Sequence, residues 1–311
     1  MSFITVFDAT LPIYLMMLAG ALVRRFGWLP REAETGIMNV VVRLLTPCLA
    51  FERIVGNPAL SDPMHVLLAA VLGYGLISLT ILIAYSITPL LGLKRGDGAR
   101  TFGLCTGLQN YGFVAIPVLE ALFGRELVGV LFTFSLGIEL ALWTVGVGLL
   151  TGFGKAPWRH AFTPPVFGII GSLTLHYMGA GPHVPVIVHS FASQLGNCAI
   201  PISLLLIGAV LMDCIGAERM NWKVAIAAPV LRLLILPFAL FLAARWIPMT
   251  VEMKKVFCVQ AAMPSAVFTV VLARHYGGHA PTAALIVVST TLGSIITIAW
   301  MISFGMRFLG I

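Results

Sequence analysis

Apolar positions along the chain gather into ten runs separated by short polar connections. The runs cover residues 3–23, 34–55, 64–91, 101–123, 127–153, 162–178, 185–212, 224–246, 255–275 and 281–308. Coiled as helices, runs of this length cross a hydrocarbon core of roughly 30 Å. Strands of alternating polarity are absent, which excludes an outer-membrane barrel. The pattern therefore predicts an all-α membrane protein of ten transmembrane helices. The first run lacks a basic leader and a small-residue cleavage site, so it reads as a retained helix rather than a signal peptide.

Two of the runs are interrupted by polar residues. In the fourth the interruption is Gln109-Asn110-Tyr111-Gly112, followed by Pro117. In the ninth it is Gln260-Ala261-Ala262-Met263-Pro264-Ser265. The interruptions occupy equivalent places in two halves, 1–154 and 155–311. Thr10-Leu11-Pro12 matches Thr163-Pro164-Pro165, Thr46-Pro47 matches Ile200-Pro201, Cys105 matches Cys258, and Phe123-Gly124 matches Tyr276-Gly277. Five helices per unit is an odd number, so the second copy enters from the opposite side. That predicts two inverted five-helix repeats with broken helices 4 and 9 crossing near the bilayer midplane, the arrangement of a secondary transporter. Backbone that leaves the helix at that depth must line a cavity or be buried in protein.

Composition narrows the class. The chain has 311 residues, 59% of them hydrophobic and only 10% charged, which excludes a water-soluble domain. A net charge of +7 would point to nucleic acid in a soluble protein. Here the basic residues sit mostly in short loops, and no nucleic-acid partner is expected. Odd-numbered loops hold Arg24, Arg25, Arg31, Lys94, Arg95, Arg100, Lys155, Arg159, Arg219, Lys223 and Arg274. Even-numbered loops and the C-terminal end hold Arg53, Arg125, Arg245, Lys254, Lys255 and Arg307. The excess on the odd loops puts both termini outside the cytoplasm. The five cysteines include no CxxC pair and read as free thiols.

The candidate site residues follow from helix chemistry. A proline blocks the bond to the carbonyl four residues earlier. Pro117 is thus expected to free the carbonyl of Phe113, and Pro264 that of Gln260. Half-helix N-termini present partial positive charge to a carboxylate, and Gln109, Asn110, Gln260 and Ser265 add neutral polar groups. Pro47 and Pro201 repeat the pattern with Thr46 and Asn197 as neighbours, in the second rank. Glu139, near the middle of the fifth run, is costly there unless it faces an aqueous path or a partner. Its two readings are a proton-coupling residue and a structural ion pair with Arg232 or Arg43. Arg232 could grip a substrate carboxylate bidentately, while Arg43 can snorkel to the membrane face. Glu52, Arg53, Glu120 and Asp213 lie near run ends and read as solvated interface charges. His275 and His279 lack a third ligand, so neither metal nor cofactor is expected.

The segment Asn110-Tyr111-Gly112-Phe113-Val114-Ala115-Ile116-Pro117, closed by Phe123-Gly124, resembles the fourth helix of the auxin efflux carrier family. Gln260-Ala261-Ala262-Met263-Pro264, continuing to Ala273-Arg274-His275-Tyr276, is similar to that family's ninth. The family includes PIN-type plant auxin exporters and bacterial malonate and malate carriers. The resemblance implies a scaffold part and a transport part moving as an elevator, a homodimer, and a polar site residue at Glu139. The chain lacks the long central loop of plant members, which favours a bacterial inner-membrane carrier. It has Thr163-Pro164 where members often have Asn-Pro, and it lacks the acidic and basic pair of auxin carriers in the third helix.

These readings converge on a carrier of small organic anions, malonate- or malate-like or auxin-like acids, rather than an enzyme. Its partners are the anion, the lipid bilayer and a possible proton co-substrate. A sodium-coupled organic anion symporter of the bile-acid type is the alternative. An intramembrane enzyme or a sensor is remote, because HExxH, paired aspartates and an output domain are missing.

Overall fold

The computed structural model describes residues 1–94, 98–153, 157–215 and 221–311. Arg95, Lys155, Arg219 and the expected boundary between residues 154 and 155 lie outside the described residues. The α-helices are α1 (Phe3–Arg25), α2 (Arg31–Val40), α3 (Thr46–Ile54), α4 (Pro63–Ser86), α5 (Ala99–Gly107), α6 (Ala115–Phe123), α7 (Glu126–Ala141) and α8 (Val147–Thr151). They continue as α9 (Pro164–Tyr177), α10 (Val186–Cys214), α11 (Trp222–Pro229), α12 (Leu236–Ala244), α13 (Val251–Ala262), α14 (Phe268–His275) and α15 (Ala280–Leu309).

Six helical stretches are long and apolar enough to cross a membrane: Phe3–Arg25, Pro63–Leu91, Glu126–Thr151, Val186–Cys214, Trp222–Ala244 and Ala280–Leu309. The fourth and ninth runs are each split, into α5 and α6 and into α13 and α14. The sixth run gives α9, whose 14 residues rise about 21 Å, short of a hydrocarbon core.

Three helices carry a widened π-turn in mid-course. Val41–Leu45 joins α2 to α3, Leu142–Gly146 joins α7 to α8, and Val230–Ile235 joins α11 to α12. Two of these turns stand just before a proline, Pro47 and Pro237, each in the first turn of the following helix. The extra residue absorbs the missing proline donor without ending the helix. Pro201, by contrast, lies inside an unbroken α10.

The helices gather into two groups that also meet, α1 against α15 and α3 against α7. In one, α1 lies along α10, and α3 packs on α9 and α10; in the other, α4 packs on α5 and α7, and α15 on α11 and α13. Each group is fastened where backbones touch. A Cβ on Gly20 would run into the Leu205 carbonyl and one on Gly208 into that of Met17. In the other group, Gly73 and Gly137 meet the carbonyls of Phe134 and Ala70 in the same way. Small residues permit this approach, and with little hydrophobic drive between helices in lipid, it supplies cohesion. Gly137 therefore locks α7 to α4 instead of easing a sliding contact.

Charges at the helix ends are more enclosed than the sequence led us to expect. Arg53 is buried and bonds Glu120, Glu52 and Asn197, while Arg125 bonds Glu120 from outside. Asp213 pairs with Arg24 and Arg31, and Arg24 also meets Glu34. A charge withdrawn from water is costly unless paired, and these partners supply the pairing. Arg43, read as a snorkelling residue, is exposed.

Candidate functional site

The two broken runs meet inside the second group. Residues 108–110 and 263–266 run antiparallel as a minimal β-bridge. The Asn110 N–H donates to the Pro264 carbonyl at 2.7 Å, and the Ala266 N–H donates to the Leu108 carbonyl at 3.0 Å. Each break thus satisfies backbone groups that the other exposes, which buried chain requires.

Local chemistry ends and restarts each helix. Gly107 closes α5 against α4, where a Cβ would meet the Ile81 backbone. Asn110 Oδ1 accepts from the Val114 N–H at 3.3 Å and closes the turn that leads into α6. Pro117 falls in the first turn of α6, where a missing N–H costs nothing. It marks the resumption of the helix, and the break lies upstream. In the ninth run the Gln260 carbonyl accepts from the Met263 N–H at 3.2 Å. It is therefore not freed by Pro264, because the last turn tightens and takes it up. The Ser265 N–H is received instead by Thr290 Oγ1 at 3.3 Å.

Arg232 is the largest fully buried side chain, at 0% exposure. Its Nε donates to the Met263 carbonyl at 3.1 Å, Nη1 to Gly107 at 3.3 Å, and Nη2 to Ala261 at 2.8 Å. Thr80 Oγ1 also donates to the Gly107 carbonyl, at 2.9 Å. Arg232 therefore clasps the C-terminal ends of α5 and α13, and all three of its nitrogens are engaged with backbone. That is a different use from gripping a substrate carboxylate.

Two amides complete one side of the crossing. Gln109 Nε2 donates to Gln260 Oε1 at 3.1 Å, and both side chains are buried. Gln109 Oε1 and Gln260 Nε2 have no partner and stand beside a cavity of about 20 Å³, otherwise lined by apolar residues such as Leu76, Phe134 and Leu240. One amide–amide bond leaves one acceptor and one donor whichever way the two groups are flipped. Space of this size admits a single water-sized polar group.

Glu139 flanks the first break. Its carboxylate accepts from the Tyr111 hydroxyl at 2.7 Å and from Trp143 Nε1 at 3.2 Å. Neither Arg232 nor Arg43 is its partner, so of the two readings the ion pair gives way to two neutral donors. The Trp143 ring in turn lies edge-on to His160 and Tyr276, and those two share a hydrogen bond of 2.9 Å. A Cβ on Gly112, next to Tyr111, would meet nothing within 4 Å.

Of the residues singled out from the sequence, Gln109, Asn110, Gln260, Pro264, Ser265 and Arg232 come together at the crossing, and Glu139 joins through Tyr111. Pro117 opens α6 beside it. Asn197 is exposed on α10 and bonds Arg53 and Ser193. Thr46 donates to the Val41 carbonyl, and Thr163 caps α9. Thr80 and Thr290 escaped the sequence reading; only their burial in apolar helices marks them, and that signal is shared by many packing threonines.

Comparison with known proteins points to membrane transporters. A family model described as membrane transport protein matches residues 5–156 and 149–302. The chain is also similar to an uncharacterized transporter of Methanocaldococcus jannaschii. Identity is 23% over 298 residues, which span 94% of this chain and 96% of that one.

Proposed function

We propose, since this chain belongs to the membrane transport protein family of auxin efflux carrier-like proteins, that its crossing carries a small organic anion, a mono- or dicarboxylate, by alternating access. The observation that carries this reading is the paired break. Two spans leave the helix side by side, so the N-termini of α6 and α14 start together beside Asn110 and Ser265. Their partial positive charges favour an anion without fixing it as a full cation would.

In this reading the α1, α3, α9 and α10 group is the scaffold, and the group built on α4, α7 and α15 carries the crossing past it. Close glycine contacts hold each group together, and Gly129 meets the Arg53 carbonyl where the groups touch. Arg53 on α3 and Glu120 on α6 bond across the boundary at 3.1 Å and latch the state seen here. Glu139 couples a proton to the cycle, exchanging it where Tyr111 and the opening at Gly112 admit water. Both termini face away from the cytoplasm of a bacterial inner membrane, the two halves are inverted copies, and the carrier works as a homodimer.

The test is uptake of labelled carboxylates into proteoliposomes at varied pH and membrane potential. Saturable uptake that Asn110→Ala abolishes is the expected result. Each net charge moved shifts the balance by about 2.3 kcal/mol per 100 mV, so the potential dependence separates proton-coupled from uncoupled movement. Indifference to every carboxylate would sink the proposal.

A further inference from the structure

We infer that Arg232 is a tethered cation: its guanidinium permanently fills the carbonyl cage at the crossing in which a carrier of this design would otherwise seat a coupling sodium ion. The inference rests on reading the crossing as the transport site, and it decides that site's coupling ion.

Half-helix C-termini and unwound carbonyls at the midplane are the ligands that broken-helix transporters give to a cation. Here the corresponding oxygens are those of Gly107, at the end of α5, and of Ala261 and Met263, at the end of α13. Each is already received by a separate nitrogen of Arg232, at 3.3, 2.8 and 3.1 Å. The two C-terminal ends carry about half a negative charge each, so together they roughly balance one guanidinium. Consistent with that, among the described residues no carboxylate lies within ion-pair reach of Arg232. Glu139, the acid beside the crossing, is bound to Tyr111 and Trp143.

The side chain reaches this position from a third span. Arg232 lies in the π-turn Val230–Ile235, directly after Pro229, where the widened backbone turns a residue toward the crossing. Guanidinium is always charged and presents a planar fork of donors, so it neither leaves the cage nor titrates during a transport cycle. A diffusible cation therefore has neither a free ligand set nor a missing charge to supply. Transport is independent of sodium, and removing the side chain opens a site for a small monovalent cation.

The test reads thermal stability of the purified full-length protein without cargo, so its outcome does not depend on which acid is carried. Wild type is expected to melt at the same temperature in sodium chloride and in N-methylglucamine chloride. Arg232→Ala is expected to melt lower and to recover part of the loss in millimolar guanidinium or in sodium. Arg232→Lys, which keeps a charge in the cage, is expected to lie between the two and to show no cation dependence. Sodium stabilising the wild type would overturn the inference even if Arg232→Ala cannot be purified. So would an Arg232→Ala protein indifferent to both cations alongside an Arg232→Lys protein equally impaired. Failure of every carboxylate in the uptake assay would strike the anion reading and leave these melting results standing.

Discussion

The two breaks at the crossing differ in what they offer. Residues 108–114 leave the helix over a longer stretch, and their side chains work: Asn110 closes the turn into α6, Tyr111 holds Glu139, and Gly112 opens onto free space. Residues 263–267 are short and buried, and their backbone works. Pro264 receives Asn110, Met263 receives Arg232, and Ser265 donates to Thr290. One break can adjust to a ligand, while the other is an anchor against which it adjusts. Paired broken helices therefore need not contribute equally, even where the sequence gives them matching places.

The sharpest way to break this contrast is at the anchor. Arg232→Met keeps the bulk but takes the donor from the Ala261 and Met263 carbonyls, at about 1–3 kcal/mol each, and leaves Gly107 with Thr80 alone. A large fall in melting temperature in detergent is expected, with transport lost. Thr290→Val removes the acceptor of the Ser265 N–H together with the bond the Thr290 hydroxyl donates to the Ile286 carbonyl. It is expected to cost about 1–3 kcal/mol by the same reasoning, read as a smaller melting shift. On the other break the balance reverses. Asn110→Ala is expected to cost about 1 kcal/mol as a lost hydrogen bond to the Val114 N–H, yet to reduce carboxylate uptake at least tenfold. Glu139→Gln exchanges one of its two acceptors for a donor facing Tyr111 or Trp143; a modest stability loss and a flattened pH dependence of uptake are expected. Gly112→Ala is the mildest change, since the new methyl meets open space. Its melting temperature is expected to match wild type, with any effect confined to uptake.

Much of this was legible before any coordinates. Gln109-Asn110 and Gln260 through Ser265 stand out because polar residues in apolar runs need a reason, and the fold gives them one. The prolines were harder to read. A proline can break a helix or begin one, and Pro117 begins α6. The use of Arg232 was hidden because its partners are carbonyls, which every residue has, on two other spans. Glu139 looked in need of a cation, yet two neutral donors one span and one turn away satisfy it. Thr46 misled because a polar side chain in a membrane helix can bond its own backbone, and Asn197 because its partner is Arg53 on another span rather than the crossing. Arg53 and Glu120 are 67 positions apart, and nothing in the sequence alone brings them together.

The most direct measurement of the central claim is equilibrium binding of a carboxylate panel to the purified protein, wild type beside Asn110→Ala. Saturable binding of at least one acid, lost in Asn110→Ala while its melting temperature stays near wild type, is what this account expects. Binding that survives Asn110→Ala undiminished would contradict it.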